Sequence, residues 1–77
     1  MIATHNIQDI KFEQNSINLQ IDGKQIKISL DKISPKLRAA DDFKRNLYKI
    51  SPSGYGIHWP LIDEDLSVDA LLKVAGQ

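Results

Sequence analysis

The chain has 77 residues, the size of one small domain, and its ten Lys+Arg are balanced by ten Asp+Glu. With 42% apolar and 26% charged residues it has the composition of a folded globular chain, and zero net charge argues against a dedicated nucleic-acid binder. The absence of cysteine excludes disulfide scaffolds, thiol catalysis and Cys-ligated zinc or iron–sulfur centres.

No run of roughly 18 apolar residues occurs, so no transmembrane helix is expected. Met1 to Asn6 has neither a basic start nor an apolar stretch, so no secretory signal is expected and the chain reads as cytoplasmic. A chain this small buries only about 60% of its unfolded surface. Its core is modest, and a partner or a second copy is a natural source of extra stability.

The first thirty residues have the periodicity of strands. Ile10 and Phe12 alternate with polar neighbours, and Glu13-Gln14-Asn15-Ser16 makes a polar break. Ile17, Leu19 and Ile21 then recur at a period of two, as do Ile26, Ile28 and Leu30. Asp22-Gly23 between the two runs predicts a tight hairpin, because both residues tolerate positive φ. The resulting three-strand meander has one oily face, and that face needs a cover.

Ser34-Pro35 starts the cover: the serine oxygen can cap free N–H groups, and proline at the first helical position loses nothing. Leu37, Ala40, Phe43 and Leu47 follow at helical spacing, so Leu37, Ala40 and Phe43 are expected against the sheet. Asp41-Asp42 predicts two short helices or one interrupted helix. Tyr48 to Ile50 returns to strand composition, Pro52-Ser53-Gly54 reads as a turn, and Ile57-His58-Trp59 as the return strand ended by Pro60. A last helix is expected after the acidic stretch, capped by Ser67, carrying Val68, Leu71, Leu72 and Val74, and stopped at Gly76. The expectation is therefore an α+β fold spanning residues 1–77 as a single domain. Its antiparallel sheet of four to five strands, an N-terminal three-strand meander plus a later hairpin, is covered by two or three short helices.

Few residues offer chemistry. Asp63, Glu64 and Asp65, with His58 nearby in sequence, are the weak candidates for an oxygen-rich metal site. Acidic residues just ahead of a helix more simply favour its N-terminal end. His5 and His58, the only histidines, lack zinc-ligand spacing; His5 reads as solvated in a mobile terminus and His58 as lying on an open strand face. Gly54-Tyr55-Gly56 lacks the strand–loop–helix setting and lysine of a phosphate loop, and none of the six serines lies in a nucleophile elbow. No catalytic residue, no cofactor and no structural metal are expected.

Charge is uneven along the chain. Lys24 to Lys49 holds eight basic and three acidic residues, whereas Ile50 to Gln77 holds one basic and four acidic. Lys36, Arg38, Lys44 and Arg45 in that basic stretch could touch phosphates, but no aromatics interleave for stacking, so a solvated helix face or a docking patch is the simpler reading. Tyr48, Tyr55 and Trp59 cluster about the last hairpin. Core outweighs interface anchor for the tryptophan, yet together with the basic residues they form the candidate interaction surface.

The run Ser51-Pro52-Ser53-Gly54-Tyr55-Gly56-Ile57-His58-Trp59-Pro60, followed by Leu61-Ile62-Asp63-Glu64-Asp65-Leu66-Ser67-Val68 and Leu71-Leu72, closely resembles the bacterial "domain of unknown function 2442" family. A strand pair across Asp22-Gly23 and Leu-x-x-x-Ser-Pro-x-Leu at Leu30 to Leu37 agree with that family's layout. The resemblance implies no assigned activity and no catalytic residues. It implies gene company with another small family, an arrangement similar to toxin–antitoxin pairs. Some members resemble fusions to a helix-turn-helix, for which no room is expected after Val74. The resulting expectation is a non-enzymatic protein-interaction module, antitoxin-like, whose partner is a small neighbouring protein or a second copy. The alternative is a nucleic-acid-linked regulator using Lys24 to Lys49.

Overall fold

The computed structural model describes residues 4–76. Strands β1 (Ile7–Phe12), β2 (Ser16–Ile21) and β3 (Lys24–Ser29) form an antiparallel meander in the order β1-β2-β3. The Asp22-Gly23 turn has φ of 53° and 84°, the double left-handed geometry that tightens a two-residue hairpin. It fixes the register Ile17↔Ile28 and Leu19↔Ile26, so both apolar sets fall on one face. Ile17, Leu19, Ile21, Ile26 and Ile28 are all buried there, each contributing roughly 1.5–3 kcal/mol by leaving water. β1 carries a bulge between Gln8 and Lys11, with Asp9 at φ 55°.

Three short helices follow: α1 (Leu30–Ile33), α2 (Pro35–Ala39) and α3 (Asp42–Asn46). Ser34 caps α2 by accepting the Leu37 N–H at 3.1 Å, and Asp41 caps α3 by accepting the Lys44 N–H at 2.9 Å. The helical segment is thus interrupted, with Ala40 extended (φ −78°, ψ 149°) between its halves. That break resets the helical phase. Leu37 is fully buried as expected, but Phe43 is 70% exposed and does not lie on the sheet.

A second antiparallel sheet, β4 (Lys49–Ile50), β5 (Gly56–Trp59) and β6 (Glu64–Ser67), runs in the order β4-β5-β6 and leads into α4 (Val68–Val74). The α+β class and the meander-plus-hairpin plan hold, but the strands divide into two three-strand sheets. The acidic stretch, expected only to precede a helix, forms β6 against β5. Ser67 caps α4 through the Ala70 N–H, and Gly76 at φ 79° follows its end. Ile57, Trp59, Val68 and Leu71 join the apolar face of the first sheet in one cluster with Leu30 and Leu37. No helix among the described residues is long and apolar enough to cross a membrane.

Candidate functional site

Trp59 is 0% exposed, as the core reading of it favoured, whereas Arg45, grouped with the candidate interaction surface, is only 6% exposed. The Arg45 guanidinium donates to four main-chain carbonyls: Leu37 and Arg38 at the end of α2, and Glu13 and Gln14 in the β1–β2 turn, at 2.9–3.1 Å. The first two lie at the C-terminal end of the helix, where carbonyls run short of intrahelical donors; the Leu37 carbonyl also accepts the Ala40 N–H at 3.2 Å. The cation also lies 5.6 Å from the centre of the Phe12 ring. Burial of a charge is tolerated here because every face of it meets oxygen or a π-cloud. Trp59 in turn donates its indole N–H to the Arg45 carbonyl at 2.9 Å and packs between Phe12 and Tyr48, ring centres 6.4 and 6.2 Å away. Both residues hold the fold together.

The three consecutive carboxylates diverge. Asp63 sits at φ 51° in the β5–β6 turn, its carbonyl accepting from Lys36 at 3.1 Å. Glu64 points inward and accepts from the fully buried Ser34 hydroxyl at 2.5 Å, so one serine both caps α2 and anchors β6. Asp65 points outward and accepts from His58 Nδ1 at 2.6 Å. Among the described residues no three His, Asp or Glu side chains gather as a metal ligand set would.

His5 is not a solvated terminal side chain. Its ring bridges Asp22 in the β2–β3 turn (2.8 Å) and Asp69 on α4 (3.2 Å), and its side chain is only 12% exposed. The Asp22 hydrogen bond raises its pKa above the ordinary histidine value, against the lowering effect of burial and with further help from Asp69. Asp22 is correspondingly held below the usual carboxylate range by the Asn6 N–H and by His5. The His5 N–H also donates to the Ser53 carbonyl at 3.0 Å, and the loop approaches so closely there that only glycine fits at Gly54, at φ 72°. Nothing local in the sequence signals these contacts, because Asp22 and Asp69 lie 17 and 64 positions away.

Two faces remain open. The first is α3, where Phe43 (70% exposed) and Leu47 at its C-cap (43%) turn to solvent beside exposed Lys44. Lys36 and Arg38 are exposed on the preceding helix, with Arg38 paired to Asp31 at 2.6 Å. With Arg45 consumed by the core and Lys27 paired to Glu13 at 3.1 Å, the basic stretch is partly neutralised internally.

The second open face is a groove of about 790 Å³ on the outer side of the second sheet. Lys49, His58 and Asp65 line its floor, with Pro52, Tyr55 and Ala70 among its walls. Tyr55 is 55% exposed, whereas Tyr48 is half-buried against Trp59. The Asp65 carboxylate accepts the Nδ1 hydrogen of His58. A nucleophile is what such a pair needs for acyl chemistry. Two serine hydroxyls that line the groove accept from the backbone: Ser67 caps α4, and Ser51 accepts from the Tyr55 and Gly56 N–H groups.

The chain matches the family described as "Protein of unknown function (DUF2442)" over residues 7–76. Comparison with curated proteins and with solved structures gave no match.

Proposed function

We propose that this chain, which belongs to the DUF2442 family of proteins of unknown function, is a non-enzymatic protein-interaction module with an antitoxin-like role toward a small neighbouring protein. The observation that carries this reading is the orientation of α3. A chain with so little core material turns a phenylalanine and a leucine outward while burying an arginine from the same helix. Exposed aromatic side chains are enriched among interface anchors. Lys36, Arg38 and Lys44 favour an acidic partner surface, which steers encounter and sets specificity.

The experiment is co-expression with the small protein encoded beside it, followed by size-exclusion chromatography and calorimetry. A stoichiometric complex is expected, weakened about 100-fold or more by Phe43→Asp. The absence of a complex, or one indifferent to Phe43→Asp and Leu47→Asp, contradicts the reading. So does a toxic neighbour whose effect the chain fails to neutralise.

A further inference from the structure

The outer face of the second sheet carries a charge pattern that is its own complement. Lys49 stands directly opposite His58 across β4 and β5, and His58 directly opposite Asp65 across β5 and β6. Directly paired residues share a face, so the three form one row across the sheet: cation, imidazole, carboxylate. With strands about 4.8 Å apart, the two charged ends lie roughly 10 Å from each other on either side of His58. Lys49 makes no ion pair among the described residues, and Asp65 uses only Oδ1 on His58. Along the strands, Pro52 and Tyr55 close one end of the groove.

We propose that a second copy of this chain docks on this outer face, face to face about a two-fold axis that runs parallel to the strands above His58. Rotation about that axis reverses the row, so Lys49 of one protomer faces Asp65 of the partner subunit, and the reverse pair forms by symmetry. The same rotation keeps each residue's position along the strands. The Pro52–Tyr55 end of one groove therefore meets the same end of the other, apolar against apolar. A two-fold axis laid along the row instead stacks lysine on lysine and aspartate on aspartate, which like-charge repulsion disfavours. One orientation satisfies both the charges and the apolar wall. A contact confined to this face falls at the low end of specific interfaces, below about 1,200 Å² in total, so the dimer is reversible.

Sedimentation equilibrium of the full chain between roughly 10 μM and 1 mM reads this directly. A monomer–dimer equilibrium is expected. Lys49→Glu and Asp65→Lys each place like charges across both symmetric pairs and raise the dimer Kd about tenfold or more. The two variants mixed, or combined in one chain, restore opposite charges across the interface and return the Kd to within about threefold of the starting value. Asp65→Asn, which keeps a hydrogen-bonding side chain beside His58, weakens the dimer less than Asp65→Lys. It gives a second measurement if the lysine variant fails to fold.

A chain that sediments as a monomer throughout overturns the proposal. So does a dimer indifferent to both single reversals, or one that the paired reversals fail to restore. The α3 face is a different surface with a different readout, so failure here leaves the neighbour-binding reading standing on its own test.

Discussion

In the first sheet, β2 and β3 run six residues each and bury five isoleucine and leucine side chains on one face. In the second sheet the strands run two to four residues, and only Ile57 and Trp59 among them are fully buried. Regular pairing aligns the apolar side chains of the first sheet on one face, which Leu37, Ile57, Trp59, Val68 and Leu71 cover. The second is held by single polar contacts that reach across the chain: Ser34 to Glu64, the Trp59 indole to the Arg45 carbonyl, and the Tyr55 carbonyl to the Val68 N–H. Such contacts fix an element in place while leaving its outer face free to carry charge and exposed aromatics. The stabilising and presenting parts of the molecule are thereby separate residues, often adjacent in sequence.

The largest effect expected from breaking this arrangement is at the junction of the two sheets. Trp59→Ala removes a fully buried ring, its aromatic contacts and its indole hydrogen bond, and should destabilise by about 3–5 kcal/mol in urea denaturation. Arg45→Met comes next. It keeps apolar bulk but removes a donor from four carbonyls, of which the Leu37 carbonyl keeps the Ala40 N–H, for an expected loss of about 2–4 kcal/mol in the same assay. Ser34→Ala removes the α2 cap and the donor to Glu64 together, and about 1–2 kcal/mol is expected. Preserved stability in Ser34→Ala would show that the second sheet does not depend on this tether.

A smaller effect separates the N-terminal bridge from the rest. His5 has a raised folded-state pKa, so its contribution is complete below the ordinary histidine value of about 6.5 and is lost as pH rises through the raised value. Asp22 has a lowered pKa, so its contribution is present above about 3.9 and is lost as pH falls through the lowered value. Thermal stability should therefore decline as pH rises above about 6.5, and His5→Asn should flatten that decline. Equal declines in both proteins would place the titrating group elsewhere.

Much of the first sheet is legible in the sequence because its signals are local. Period-two runs of Ile and Leu flank Asp22-Gly23, and the caps at Ser34 and Ser67 precede their helices immediately. Phe43 shows where a local signal of this kind ends. Three- and four-residue spacing from Leu37 carries a helical phase only through continuous helix, and Ala40 breaks it before Asp41 caps a new one. β6 has a composition poor in strand formers, and its conformation is imposed by β5 and Ser34. Arg45 and His5 were illegible for another reason. Their partners are carbonyls or distant carboxylates, which no spacing rule encodes. Of the residues of the candidate surface, Lys36, Arg38, Lys44 and Tyr55 are exposed, Arg45 and Trp59 are buried, and Tyr48 lies between.

Phe43→Ser and Arg45→Met, two residues apart on one helix, test the separation most directly when urea denaturation and binding of the neighbouring small protein are measured on both. The account predicts that Phe43→Ser changes stability by less than about 0.5 kcal/mol yet abolishes binding. It predicts that Arg45→Met loses stability but, at a temperature where it remains folded, binds like the unsubstituted chain. A Phe43→Ser variant that unfolds as readily as Arg45→Met, or that binds undiminished, contradicts it.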